Sequence, residues 1–330
     1  MTGRAAIPAQ ALRLSRGPRA GRRAGSELPL RSGAHLRVTY RIHDVPVDGG
    51  VLRVGEWSPE DPTAPTVIAL HGVTASHMAW AMVARALPEV RLIAPDLRGR
   101  GRSAGLPGPF GMARHAADIE AVIVALELPR ALLIGHSMGA FAAVVTAHLY
   151  PDRFSQVLLV DGGLPLAVPA GISQSDLLRA TLGPAAQRLS MTFVDRPAYL
   201  EFWKSHPAFA DSWSQAVADY ANYDLTGSEP LLRPSCSIDA MTEDSMELYG
   251  GESVLAALAD PKQPVTLLTA PRGLLNQTPG LYGASEIARW KTELPVLTIQ
   301  EVPDVNHYTI VLGAAGATAV AREVRQLGTP

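Results

Sequence analysis

The chain has 330 residues, enough for one large α/β domain or for such a domain with an insertion. Its formal net charge of -2 gives no electrostatic basis for binding nucleic acid or an anionic membrane surface. A single cysteine, Cys236, excludes an internal disulfide framework and a cysteine-rich metal site, and no apolar run approaches the roughly 20 residues that span a bilayer.

The first 33 residues differ in composition from the rest of the chain. They contain seven arginines and one acidic residue, Glu27, among Gly, Pro and Ala. No apolar segment typical of a signal peptide follows the basic residues. This composition favours a disordered extension, and a targeting or nucleic-acid-binding arm is the alternative.

The next part of the chain, 34–164, alternates between strand and helix patterns. Apolar runs predict strands over 36–42, 50–57, 66–70, 91–95, 131–134 and 157–161. Apolar residues at helical spacing and Ala-rich stretches predict helices over 78–87, 112–126 and 141–147. The first two strands form a predicted antiparallel hairpin at the sheet edge. The alternation that follows predicts a mostly parallel, doubly wound sheet.

The alternation stops between about residues 165 and 260, where helix-like segments dominate. Eight aromatic residues fall between Phe193 and Tyr223. We predict that this segment is a helical cap that covers the functional site of the domain. Most of the aromatic rings are expected to pack the cap helices against one another. Strand and helix patterns then return over 265–270, 285–292, 296–299, 306–310 and 315–326. The core is therefore expected to comprise 34–164 and 261–330, and the cap 165–260.

The central motif is Gly135-His136-Ser137-Met138-Gly139, between an apolar run and an Ala-rich helix. It matches the G-x-S-x-G pattern of a nucleophile elbow, in which the serine lies on a strained turn above the sheet. The two glycines carry no Cβ, so neighbouring backbone can pass close by. The N-terminus of the following helix favours developing negative charge. Ser137 is the candidate nucleophile.

A serine nucleophile needs a base and donors for the oxyanion. His307 is the candidate base because it follows the late strands and agrees with the chain order Ser…acid…His. His136 points away from the serine by the geometry of the elbow, and His71 belongs to the loop after strand 66–70. The backbone N–H groups of Met138 and Val73 are the candidate oxyanion donors.

The acid that orients the base is less clearly marked. No carboxylate follows the predicted strand 265–270 until Glu286. Asp161 ends the strand after the elbow helix, and two glycines follow it, so it is the leading candidate. The alternatives are Asn276, Asp239 and Asp244.

Four features together resemble the α/β-hydrolase superfamily, in its serine-dependent, cap-bearing branch. They are His71-Gly72 after a strand, the turn Asp96-Leu97-Arg98-Gly99-Arg100-Gly101-Arg102-Ser103, the elbow, and Asn306-His307. The resemblance covers about residues 36–327 and implies an α/β-hydrolase fold with esterase- or lipase-like activity. In the family the arginine- and glycine-rich turn is structural. Members usually place the acid after the strand that corresponds to 265–270, and a minority place it one strand earlier, as at Asp161.

These features favour a serine hydrolase that cleaves a hydrophobic carboxylic ester or lactone through an acyl-enzyme. The alternatives are a hydrolase of C–C bonds in β-diketones or ring-fission products, and a non-catalytic ligand-binding protein. No cofactor and no metal are expected, because no two histidines have ligand spacing on a helix. We expect a small hydrophobic substrate, no nucleic-acid partner and a cytoplasmic location, whereas the sequence does not indicate an oligomeric state.

Overall fold

The computed structural model describes residues 37–167, 171, 173, 176 and 185–328. The extension predicted over residues 1–33 lies outside the described residues. No helix in the described part of the chain is long and apolar enough to cross a membrane.

An eight-stranded sheet in the order β1-β2-β4-β3-β5-β6-β9-β10 lies at the centre. Its strands are β1 Val38–Val47, β2 Gly50–Pro59, β3 Thr66–Leu70, β4 Arg91–Pro95, β5 Ala131–His136, β6 Phe154–Val160, β9 Val265–Thr269 and β10 Leu297–Glu301. A separate short ribbon pairs β7 Leu225–Thr226 with β8 Arg233–Pro234. In the eight-stranded sheet, β1 and β2 form an antiparallel hairpin, β2 is antiparallel to β4, and the other pairs are parallel, whereas the β7–β8 ribbon is antiparallel. The predicted edge hairpin and mostly parallel sheet are therefore confirmed.

Helices cover both faces of this sheet. They are α1 Ala81–Ala86, α2 Met112–Ala125, α3 Met138–Leu149, α4 Arg196–Lys204, α5 Gln215–Asp224, α6 Ile238–Glu247, α7 Glu252–Ala259, α8 Ala284–Glu293, α9 Thr309–Leu312 and α10 Ala314–Leu327. Because strand side chains alternate between faces, Leu132 and Ile134 of β5 belong to one buried cluster, which includes residues of α1 and α10. Leu133 belongs to the buried cluster on the opposite face, which includes residues of α2, α3, α7 and α8. The sheet is doubly wound, as predicted.

Three helices of the segment predicted as a cap begin at side-chain caps. Asp195, Ser214 and Ser237 each accept a hydrogen bond from a backbone N–H in the first turn of α4, α5 and α6. By contrast, α7 packs in one cluster with α3, although it falls within 165–260. It therefore covers the sheet as the core helices do. The division of the chain at residues 165 and 260 stays a prediction.

A buried carboxylate, Glu56, joins the edge hairpin to β4. His43 Nε2–H donates to it at 2.6 Å, and Arg91 donates through Nε and Nη2 at 3.2 and 3.3 Å. Burial raises the pKa of Glu56, but the hydrogen bonds from His43 and Arg91 outweigh it and lower the pKa from 4.5 to about 2. The carboxylate therefore stabilises the fold above its unfolded pKa, and this stability is lost as the pH falls toward 2.

Glu56→Gln should lower Tm at pH 7 and flatten the dependence of Tm on pH between about 5 and 2, because the variant no longer binds a proton there on unfolding. Thermal unfolding across this pH range tests the expectation. Glu60→Gln, at an exposed residue, is the matched control. Equal acid sensitivity of Glu56→Gln and the unmodified protein would contradict it.

Candidate active site

Ser137 lies between the carboxyl end of β5 and the first residue of α3. Its φ of 55° and ψ of -125° are strained for a residue with a side chain. The turn requires glycine on both sides of the serine, because backbone atoms lie where a Cβ would otherwise be. A Cβ on Gly135 would lie 2.2 Å from Gly139 O, and one on Gly139 would lie 2.2 Å from Leu70 O. The sequence pattern and the local backbone therefore agree at this turn.

His307 and Asp161 form a continuous hydrogen-bonded chain with the serine. Ser137 Oγ lies 3.0 Å from His307 Nε2, and His307 Nδ1 lies 2.7 Å from Asp161 Oδ2. Asp161 is fully buried, and His307 is 4% exposed. The three side chains come from loops after β5, β6 and β10, which end at the same edge of the sheet. The structure thus brings together all three residues selected from the sequence.

Backbone contacts from the neighbouring strand orient Asp161. The residue has a φ of 46°, and its N–H donates to Leu268 O at 2.7 Å. Ala270 N–H donates to Asp161 Oδ1 at 3.0 Å, which leaves Oδ2 for the imidazole. The carboxylate therefore has one oxygen assigned to the backbone and the other to His307.

The alternative acids have other partners. Asn276 Oδ1 accepts a hydrogen bond from Asn306 Nδ2 at 3.1 Å. Asp244 pairs with Arg100 and with His115. Asp239 is exposed in the first turn of α6 and makes no hydrogen bond or ion pair with the described residues. None of the three contacts His307 in the part of the chain that the structure describes.

The segment 306–310, predicted as a strand, is a turn that leads into α9, and Thr309 and Ile310 are the first two residues of that helix. Asn306 Oδ1 accepts the N–H groups of Tyr308 and Thr309 at 3.0 and 2.9 Å, and so closes the turn before this short helix. His307 N–H donates to Arg272 O at 2.9 Å, which fixes the backbone on the other side. The prediction was wrong because the β-like residues Tyr308, Thr309 and Ile310 follow a turn that the Asn306 side chain closes by hydrogen bonds to the local backbone.

His136 and His71 are both placed away from a role as base. Burial lowers the pKa of His136 well below its usual value, and its Nε2–H donates to His307 O at 2.8 Å. Burial lowers the pKa of His71 to about 3, so this ring is neutral. Its Nδ1–H donates to Gly72 O at 2.8 Å, and its Nε2 accepts Leu97 N–H at 2.9 Å. Each ring instead fixes a backbone carbonyl next to the site.

The two candidate oxyanion donors both belong to residues next to Ser137, Met138 in the chain and Val73 through the neighbouring loop. Met138 is the first residue of α3, so its N–H has no partner within the helix. Val73 follows Gly72, and a Cβ on Gly72 would lie 3.2 Å from Ser137 Cβ. Among the described residues, neither N–H donates to a protein acceptor. Both N–H groups are therefore available to a ligand oxygen.

A pocket of about 780 Å³, its open mouth included, lies over Ser137. The described lining residues include no Lys, Arg, Asp or Glu. Most are apolar or aromatic: Val73, Ala75, Ala79, Phe141, Leu166, Tyr220, Leu248, Tyr249, Leu274, Leu281, Tyr308, Val311 and Leu312. The described wall of the pocket is therefore mostly apolar, and Ser137 and His307 are among its few polar residues.

Only one of the eight aromatic residues between 193 and 223, Tyr220, lines this pocket. Tyr199, Trp203 and Phe209 are buried and pack against one another. Trp203 and Phe209 also contact the ring of Tyr308, the residue after His307, at centroid distances of 6.1 and 5.5 Å. The aromatic cluster therefore supports the loop of His307.

Sequence reasoning missed the groups that hold these residues in place. The N–H of Ala270 and the carbonyl of Arg272 act through the backbone, so no residue type marks them. Asn306 precedes His307 and was part of the recognised motif, but its role in closing the turn before α9 depends on a helix that begins at Thr309. Asp244 was considered as an acid, whereas its partners are Arg100 and His115.

Comparisons with known proteins agree with this architecture. Residues 65–227 match the family model of the alpha/beta hydrolase fold. The 2-(acetamidomethylene)succinate hydrolase of Mesorhizobium japonicum is 26% identical over 254 residues, which cover 76% of this chain and 84% of that one. The crystal structure of E-2-(acetamidomethylene)succinate hydrolase superposes with a TM-score of 0.72 at 22% identity, covering 87% of this chain and 98% of that one.

A further relative from Bacillus subtilis (strain 168) carries the provisional name 2-succinyl-6-hydroxy-2,4-cyclohexadiene-1-carboxylate synthase. It is 30% identical over 181 residues, which cover 53% of this chain but only 62% of the relative. The matched region in the family model contains the elbow. The sheet order, the doubly wound helices and these similarities lead to one conclusion: the chain has the α/β-hydrolase fold, and its residues 65–227 match the model of that family.

Proposed function

We propose that the protein is a serine hydrolase that cleaves a hydrophobic carboxylic ester or lactone through an acyl-enzyme. The observation that carries the proposal is the hydrogen-bonded chain from Asp161 through His307 to Ser137, at the base of an apolar pocket. In such a chain the imidazole is the base and the carboxylate holds its tautomer.

In this mechanism, Ser137 Oγ attacks the substrate carbonyl while His307 Nε2 accepts the hydroxyl proton. The N–H groups of Val73 and Met138 donate to the oxyanion. Collapse of the tetrahedral intermediate breaks the ester bond, and His307 returns the proton to the leaving alcohol. A water molecule then attacks the acyl-enzyme by the same route, and releases the acid and free Ser137.

The lining of the pocket supports an uncharged substrate. The names of the two relatives contain succinate and carboxylate. The described lining of this pocket has no Lys or Arg to pair with a carboxylate. Burying an unpaired carboxylate costs several kcal/mol, on the order of 3 or more. We therefore propose a substrate with a neutral acyl group, which differs from the carboxylates in the names of those relatives.

Two p-nitrophenyl esters of equal chain length test this substrate class, one with a terminal methyl and one with a terminal carboxylate. We expect kcat/KM to be about 100-fold higher for the neutral ester, because a cost of about 3 kcal/mol corresponds to roughly two factors of ten. Equal values, or preference for the anionic ester, would contradict the proposal. Cleavage of a β-diketone without any ester hydrolysis would favour the C–C hydrolase instead.

A further inference from the structure

Arg100 is a fully buried arginine in the turn after β4. Its Nε–H donates to Val73 O at 2.8 Å. The Nη1 group donates to Arg98 O at 2.8 Å and to the carboxylate of Asp244, while Nη2 donates to Ala240 O at 3.2 Å. Nη2 also lies 3.5 Å from Met138 Sδ. Each of the five N–H donors of the guanidinium therefore has a partner.

Two of these partners are the residues whose N–H groups face the proposed oxyanion. The peptide group on each side of the Val73 Cα is held. His71 Nδ1–H and Ala75 N–H donate to Gly72 O, at 2.8 and 3.1 Å, which directs the Val73 N–H to the opposite side of that trans peptide. Arg100 holds the carbonyl of Val73 itself. The loop that carries the Val73 donor is thus clamped from both sides.

The counter-ion of Arg100 comes from α6, which lies within the predicted cap. Asp244 is fully buried, and it also accepts His115 Nε2–H at 2.9 Å and Gly111 N–H at 2.5 Å. A buried guanidinium without a carboxylate partner is strongly destabilised. The position of Arg100 on the Val73 carbonyl therefore depends on α6 being packed against the turn.

We propose that Arg100 is a positioning residue for the oxyanion hole and that Asp244 of α6 completes this support. The inference rests on the proposed acyl transfer at Ser137. It makes α6 part of the machinery that stabilises the transition state. Since Arg100 contacts Val73 through its carbonyl and Met138 through its sulfur, its loss should raise the barrier of the reaction and leave ground-state binding of the ester unchanged.

Arg98 provides a matched control two residues away. It is also fully buried, and it donates to Asp118 at 2.7 and 2.8 Å and to the carbonyls of Pro107 and Asp48. None of these partners lines the pocket among the described residues. Lysine at either position keeps the positive charge but cannot make the fork of hydrogen bonds. Both variants therefore disrupt a buried ion pair, but only the pair of Arg100 contacts the loop that carries Val73.

The experiment compares Arg100→Lys, Asp244→Asn and Arg98→Lys, with kcat expressed per titrated active site. We expect Arg100→Lys to lower kcat by about 10- to 100-fold, with KM within about threefold. Its Kd for a trifluoromethyl ketone analogue should rise by the same factor as kcat falls. Asp244→Asn should change both quantities in the same direction, and Arg98→Lys should leave kcat within about threefold.

Equal kcat values for Arg100→Lys and Arg98→Lys in an active protein would overturn the positioning role alone. Should Arg100→Lys fail to fold, Asp244→Asn decides the question, because it keeps the shape of the side chain. Unmodified protein that neither hydrolyses esters nor binds the ketone would refute the proposed function, and the inference with it. A lower Tm of Arg100→Lys with an unchanged kcat would indicate a purely structural role for Arg100.

Discussion

Ser137→Ala is expected to lower kcat for ester hydrolysis by about 10⁴-fold or more, because the acyl-enzyme can no longer form. The fold should persist, since alanine has the same Cβ as serine at this φ of 55°. Residual activity would come from the pocket and the oxyanion donors alone. Steady-state kinetics with a neutral p-nitrophenyl ester, together with a thermal unfolding curve, measure both effects.

Labelling with a fluorophosphonate gives a second readout for the same variant. The unmodified protein should gain the mass of one phosphonyl group, and Ser137→Ala should gain none. Ser205→Ala, at an exposed serine whose hydroxyl donates to Phe202 O, is the control and should be labelled as the unmodified protein is. Stoichiometric labelling of Ser137→Ala would show that another residue is the nucleophile.

Asp161→Asn should lower kcat by about 10³- to 10⁴-fold. The asparagine Oδ1 can keep the hydrogen bond from Ala270 N–H, which places its NH₂ group opposite His307 Nδ1. That amide donates where the carboxylate accepted, so it favours the tautomer with the proton on Nε2. An imidazole in this form cannot accept the proton of Ser137. The variant is measured as kcat per folded protein across pH.

Asn276→Ala is the matched control for the acid. Asn276 bonds to the side chain of Asn306 and makes no contact with His307 in the described structure. We expect its kcat to stay within about threefold of the unmodified protein. A kcat for Asp161→Asn within tenfold of the unmodified value, combined with a large loss for Asn276→Ala, would reverse the two assignments.

The elbow and His307 could be predicted because their signals are local or follow chain order. Gly135 and Gly139 are required where backbone comes within van der Waals distance, and this requirement is visible in five residues of sequence. The fold class followed from alternating strands and helices that repeat over the chain. Asp161 was the leading acid because it ends a strand before two glycines and because the loop after the next strand has no carboxylate, and the structure places it against His307.

The pairing of Arg100 with Asp244 could not be predicted from the sequence. The two residues are separated by 144 positions, and no motif relates one to the other. No local pattern indicates which buried charges meet. The strand prediction for 306–310 was wrong for a related reason, since the turn before this four-residue helix depends on hydrogen bonds to the side chain of Asn306. The boundary of the cap could not be predicted for the same reason, because only the packing of α7 on α3 shows that α7 covers the sheet.

The position of Asp161 directly after β6 has a consequence for the loop that follows β9. That loop supplies the N–H of Ala270 to the acid, but it carries no member of the proposed triad. The side chains of this loop therefore take no part in the proposed proton transfer, and one of them, Leu274, lines the pocket. Substitutions at Leu274 could therefore reshape substrate range while the charge distribution around Ser137 is unchanged. In an enzyme of this design, selectivity and chemistry can evolve on separate loops.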